Sequence, residues 1–261
     1  MLLRALARRS RTAAARRVGI LRNSGLFGAA ITWVAMCGNE GSQLVHSGAR
    51  RSRASVDSGM SEGVGKIVLG SKSQTRQDIL KEMGYEFEIL PANIDEKAIR
   101  VPDPKDLVVA LGHAKADAIQ QRVKEESKHV SGKVLLITGD QVVVHEGRIL
   151  EKPENEQQAR EFIRGYGRSP PQTVGSVVVT DVRSGKRWHR VDTAKIIYKN
   201  IPEDVIDQLI KEGEIFYSAG GLRVEDPLVA PYLVKIEGAK DSIMGLCKAD
   251  VKYCMGEACK E

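Results

Sequence analysis

An apolar run, IVL at 67–69, meets Gly70-Ser71-Lys72-Ser73 and then a segment with helical spacing from Gln74. Two hydroxyls, Lys72 and Arg76 crowd the place where strand becomes helix. A helix start presents unpaired backbone N–H groups and a partial positive charge, so this loop suits an anion. A plain N-cap role accounts for Ser73 equally well. Asp140 follows the apolar residues of VLLIT (134–138) through Gly139, so its carboxylate emerges at a strand end, where α/β sheets place their sites. There it can hold Mg²⁺ or orient water as a general base, although a turn-forming Asp after glycine reads the same way. Lys115, between Ala114 and Ala116, can reach from a helix into a cleft or snorkel at a surface. Lys152 closes a hairpin before Pro153 and Glu96 stands in the loop NIDE, both positions that solvent exposure explains as well.

Taken together, Ser71, Ser73, Arg76, Lys115 and Lys152 answer several negative charges, and Glu96 with Asp140 answers a divalent cation. That is the equipment a nucleoside triphosphate requires. A charge-assisted hydrogen bond to phosphate contributes roughly 1.5–3 kcal/mol, so three such cations could supply about micromolar affinity. The common alternatives fail. Gly65-Lys66 is followed by Ile67 where a phosphate-binding P-loop needs Ser or Thr, and Met60 stands where its leading glycine belongs. Serine hydrolysis is not indicated either, because no GxSxG elbow joins an expected strand to an expected helix.

The elements that position these residues alternate between strand and helix. The pattern predicts a strand at 67–69, a helix over 74–83 ending near Gly84, and a short strand at 87–90. The longest helix is expected over 105–126, with Leu107, Leu111, Ala114 and Ala118 on one face. A buried strand at 134–138 precedes a hairpin that turns at Glu146-Gly147. A helix follows with Ala159, Phe162 and Ile163 inward, then strands near 173–180 and 188–198, then a helix with acidic residues in its first turn and Gly213 at its end. No internal repeat is visible. The fold class is α/β, one mixed sheet flanked by helices.

The chain of 261 residues, 42% hydrophobic, is long enough for one large domain or two small ones. Its net charge of +6 is uneven: residues 1–59 carry ten arginines against Glu40 and Asp57, and residues 60–261 hold 30 basic and 32 acidic side chains. The domain is therefore near neutral, and a broad surface for nucleic-acid polymers is not indicated. Residues 1–59, rich in Arg, Ala and Ser, have the composition of a transit peptide or a disordered leader, and Met60 could start a shorter form. The expected compartment is the cytoplasm, or a mitochondrion or plastid if the leader directs it there. Its apolar part, 26–37, is too short to span a bilayer. Cys37, Cys247, Cys254 and Cys259 form no CxxC pair, which argues against zinc and against a disulfide framework. For the tail after Cys247, a single amphipathic helical turn is expected.

Seven motifs in order, S-x-S-x-x-R at 71–76, NIDE at 93–96, LGHAKA at 111–116, GDQV at 139–142, LEKP at 150–153, SAG at 218–220 and KIEG…GL at 235–246, resemble those of the Maf proteins. These are septum-formation-inhibitor-like nucleoside triphosphate pyrophosphatases, and the resemblance covers about 66–247. It implies a mixed α/β fold with two lobes around a deep cleft, often dimeric, that splits a triphosphate into monophosphate and pyrophosphate with Mg²⁺ or Mn²⁺. It places Asp140 on the catalytic acid, and Ser71, Arg76, Glu96, Lys115 and Lys152 on substrate or metal positions. Thr75, Gln141 and Glu225 fall where family branches differ in specificity. Gln141 and Glu225 resemble the branch that prefers 7-methyl-GTP, and a carboxylate suits the N1–H and exocyclic amine of a guanine-type edge. Thr75 matches neither that branch nor the dTTP/UTP branch. Gln74 replaces the usual proline, and DPLVAP replaces a glycine-rich run after Glu225. A nucleotide-binding regulator of cell division that does not turn over its ligand, and an enzyme of the inosine-triphosphate type, are the competing readings.

Overall fold

The computed structural model describes residues 63–221 and 223–260; the basic leader, Cys37 and Met60 lie outside the described residues. Strand β1 (Val64–Leu69) leads into helix α1 (Gln74–Glu82), capped by Ser73, whose Oγ accepts from Arg76 N at 3.4 Å. Strand β2 (Glu88–Ile89) is only two residues long, shorter than the expected 87–90, because just Val68 and Leu69 of β1 pair with it. Helix α2 (Pro104–Glu126) starts with proline in its first turn and with Asp103 Oδ1 accepting from Lys105 N at 2.8 Å and Asp106 N at 3.2 Å. There follow β3 (Lys133–Thr138), the hairpin β4 (Gln141–His145) and β5 (Arg148–Leu150), α3 (Glu156–Tyr166), β6 (Gln172–Asp181), β7 (Arg187–Tyr198) and α4 (Glu203–Glu212). The chain ends with β8 (Leu233–Glu237), the short α5 (Lys240–Ile243) and α6 (Lys248–Lys260).

The eight strands form one mixed sheet, as expected from the alternation. Strand period decides its layers: Ile67, Leu69, Leu135 and Ile137 face α1 and α6, whereas Val68, Val134 and Leu136 face α2. Burying each of these side chains contributes about 1.5–3 kcal/mol. A third apolar cluster joins Leu150, α3, α4, Tyr198 and Ile215.

The sheet forks. β3 and β4 both run antiparallel along the same flank of β6, and Thr138↔Val178 and Gln141↔Gly175 keep one unbroken register across the gap. On their other edges they part company, β3 pairing with β1 and β4 pairing with β5. Gly139 and Asp140 occupy the branch point, where Ser176 N donates to the Asp140 carbonyl at 2.9 Å.

Two sequence expectations need correction. The buried face of α2 comprises Leu107, Val108, Leu111, Gly112, Lys115, Ala116, Ile119 and Val123, while Ala118 is exposed and Ala114 half-buried. The face is rotated because α2 approaches β6 closely at Gly112, where a Cβ would stand 2.7 Å from Val178 Cγ2, and because a lysine turns inward. The tail is not one turn but a 13-residue helix, and its Val251, Cys254, Met255 and Ala258 complete the core beside α1.

The fork is sterically demanding. A Cβ on Gly139 would lie 2.1 Å from the Ser176 carbonyl oxygen, a backbone atom that cannot swing away. Gly139→Ala is therefore expected to lower stability by about 2 kcal/mol or more, read as an earlier midpoint in urea denaturation with an unchanged m-value.

Candidate active site

Three features of the chain bring a lysine to the fork. Thr138 Oγ1, at the end of β3, donates to the Gly112 carbonyl at 2.8 Å. Ser176 Oγ donates to the Val108 carbonyl at 2.6 Å and accepts from Asp140 N at 3.2 Å. These bonds dock α2 against the branch point, and the next turn of the helix carries Lys115 to it. Lys115 is 6% exposed, and its Nζ lies 2.7 Å from Asp140 Oδ1 and 2.8 Å from Glu96 Oε1. The snorkelling alternative is excluded. Glu96 reaches this point from a 3-10 turn, Glu96–Ala98, that Asp95 caps by accepting from Lys97 N.

The opening loop supplies the second cation. Arg76 Nε donates to the Gly245 carbonyl at 2.8 Å, and its Nη1 donates to the Gly139 carbonyl at 3.1 Å and to Ser71 Oγ at 3.3 Å. Burial pushes the guanidinium below its ordinary range, and the Asp140 and Glu96 carboxylates oppose that shift. Ser71 Oγ also accepts from Ser73 N at 3.2 Å, and Ser73 Oγ lies 2.9 Å from Thr75 Oγ1. Thr75 is thus tied into the N-cap, and Ser73 is the cap that the bland reading of the loop required.

Two adjoining cavities meet here. One, of about 550 Å³, is lined by Ser73, Thr75, Arg76, Glu96, Asp140, Gln141, Lys152 and Glu225 together with the apolar Val143, Ile196, Tyr198 and Val224. The other, of about 720 Å³, is lined by Gly70, Ser71, Lys72, Lys115 and the loop 91–95, and it shares Ser73, Arg76, Glu96, Asp140 and Lys152 with the first. All ten residues singled out from the sequence therefore line one cavity or the other. The five shared residues mark the junction, and Lys152 is exposed there.

Some contacts were not legible beforehand. Gln141 Nε2 donates to the carbonyls of Ser242 at 2.6 Å and Ile243 at 3.0 Å, so its donors hold α5 rather than a ligand. Glu225 is paired: Arg223 reaches its Oε1 at 3.2 Å and also lies 3.5 Å from Glu214. Ser176 escaped notice too, though a hydroxyl inside the apolar run VGSVVV was the available signal. Two convergent carboxylates, Glu96 and Asp140, are hard oxygen donors of the kind Mg²⁺ or Mn²⁺ takes. A separate group, Asp192, Cys247 and Asp250, brings its ligating atoms within 4.8 Å of one another, but none of the three lines either cavity.

A family profile described as Maf-like protein matches residues 66–258. The 7-methyl-GTP pyrophosphatase of Dictyostelium discoideum is 42% identical over 191 residues, covering 73% of this chain and 96% of the relative. This chain belongs to the Maf family. Other Maf relatives are dTTP/UTP pyrophosphatases: that of Neisseria meningitidis is 32% identical over 180 residues, 69% of this chain and 88% of the relative. That of Syntrophus aciditrophicus is 28% identical over 186 residues, 71% and 86% respectively. The mixed sheet with flanking helices is the arrangement that the resemblance to Maf proteins implied. Among the described residues, no helix of this Maf protein is long and apolar enough to cross a membrane.

Lys115→Met is expected to lower stability by about 2–3 kcal/mol, because it leaves the largely buried Asp140 without its cation while Glu96 stays half exposed. Denaturation of the Lys115→Met/Asp140→Asn double variant should show a smaller loss than the two single losses added. Asp192 gives a pH-dependent test. Burial pushes its carboxyl above the ordinary range, with the charges of Asp250 and Asp241 adding to the effect and the Ser242 hydroxyl opposing it. The ionised group thus subtracts stability as pH rises above about 4. Asp192→Asn should melt above wild type near pH 7, with the gap closing as pH falls toward about 4.

Proposed function

We propose that this protein hydrolyses nucleoside triphosphates at the α–β anhydride, releasing monophosphate and pyrophosphate, and that a modified purine such as 7-methyl-GTP is its preferred substrate. The observation that carries this reading is Lys115 Nζ between Asp140 Oδ1 and Glu96 Oε1 at the junction of the two cavities. A mere binding module has no use for a carboxylate that an ammonium orients at that point.

The polar cavity, with Ser71, Lys72, Lys115 and Lys152, suits the β and γ phosphates. The cavity with apolar walls suits the nucleoside, which leaves the α–β bond near Asp140. Ser73 and Arg76, present in both cavities, span that bond. Water attacks phosphorus there, a new P–O bond forms, the bridging P–O bond breaks, and the Asp140 carboxylate accepts the water's proton. Arg76 and Lys152 face the charge that develops on the phosphate oxygens. Glu96 and Asp140 would hold Mg²⁺ or Mn²⁺, which when bound neutralises phosphate charge and polarises the anhydride. The preference for 7-methyl-GTP draws on the 42% identical relative of that name and on Glu225 in the apolar cavity.

The test is a panel of 7-methyl-GTP, GTP, ITP, UTP, dTTP and CTP with Mg²⁺, quantifying pyrophosphate and monophosphate. Selective turnover of 7-methyl-GTP is expected, falling at least about 10²-fold in Asp140→Asn and abolished by a chelator. A preference for dTTP and UTP would keep the chemistry and overturn the substrate. Tight binding without turnover of any triphosphate would make a nucleotide-binding regulator the better account.

A further inference from the structure

Four large apolar side chains are exposed among the described residues, namely Ile89, Tyr217, Val234 and Tyr253, and Tyr217 is the most exposed at 74%. It alone of the four lines the cavity with apolar walls. The Tyr253 ring already carries the Arg190 guanidinium at 4.6 Å, whereas among the described residues no ring or cation packs on Tyr217. Its position is built rather than incidental. Tyr217 ends the 3-10 turn Glu214–Tyr217, which starts from the left-handed Gly213 (φ 79°) and is anchored by the buried Ile215. Beyond it, Gly220 and Gly221 have φ of 68° and 64°, and the Tyr166 hydroxyl donates to the Gly220 carbonyl. An aromatic ring is thus presented to the cavity from a short segment fixed at both ends.

The charges around it are unequal. Glu214, on the same turn, and Glu225 both line the cavity, and Arg223 lies 3.5 Å from the first and 3.2 Å from the second. One guanidinium against two carboxylates leaves this part of the wall net negative. Arg76, Lys152, Glu96 and Asp140, the other charged residues lining this cavity, also line the polar one and so lie toward the junction.

We propose that Tyr217 is the stacking platform for the nucleotide base, and that together with Glu214 and Glu225 it selects a base bearing positive charge. This rests on the pyrophosphatase reading above. A purine alkylated at N7 carries a delocalised positive charge on its five-membered ring. An electron-rich ring face attracts such a cation in addition to stacking, and nearby carboxylates strengthen the preference. A neutral base gains the stacking alone.

The test measures equilibrium binding of 7-methyl-GMP and of GMP to the full chain and to Tyr217→Ala and Tyr217→Phe by calorimetry. Tyr217→Ala should weaken 7-methyl-GMP about tenfold and GMP about threefold or less, and Tyr217→Phe should stay within about twofold of wild type for both. In turnover of 7-methyl-GTP, the alanine variant should show its loss in KM more than in kcat. An equal loss for the two monophosphates, or none for either, would overturn the proposal. Because binding of the monophosphates needs no hydrolysis, a chain that binds them through Tyr217 but turns over no triphosphate would sink the pyrophosphatase reading and leave this one standing.

Discussion

Everything at this site depends on the approach of two backbones where the sheet divides. β3 and β4 share one register along β6, so the residues between them are held as firmly as a strand, yet their outer edges belong to different neighbours. The divergence opens space at Asp140, and only a residue without a side chain fits beside the Ser176 carbonyl at Gly139. Open α/β sheets place ligands where neighbouring connections part, and here the parting is built into a single length of chain.

The second requirement is charge compensation. A carboxylate at a largely buried branch point is costly unless a cation meets it. Lys115 supplies one, and it can do so because Gly112 lets α2 lie close and because Thr138 and Ser176 fasten the helix through backbone carbonyls one and two turns earlier. The same ammonium holds Glu96, so a loop remote in sequence is drawn to the fork by one ion. Arg76 repeats the device, donating to Gly139, Ser71 and Gly245 together.

Much of this was legible in the residues. The alternation of strand and helix predicted a mixed sheet with flanking helices, Gly213 marked a helix end, and the types at 71–76, 115 and 140 pointed to phosphate chemistry. What stayed hidden has a common physical cause: it depends on partners far away in sequence. The inward face of α2 includes a lysine, which no apolar pattern assigns to a core, and its burial follows from Asp140 and Glu96 rather than from its neighbours on the helix. Gln141 was read for its position after Asp140, but its carboxamide is occupied by α5, 101 residues onward. The tail was underestimated because its buried Cys254 and Met255 are weak apolar markers until α1 is known to cover them.

The bond from Arg76 to the Gly245 carbonyl spans 169 residues, and those from Gln141 to α5 span about a hundred. Both sides of the site are therefore held by backbone that is made only after β8. Closing such long loops costs entropy, and the interactions that repay it form only once the segment after β8 is present. A nascent chain that has emerged through β7 owns most of the sheet and every acidic and basic group at the fork, yet lacks the strap that orients Arg76. The fold thus postpones competence until the segment after β8 has been made, so shorter chains carry the chemistry's side chains without the frame that aims them.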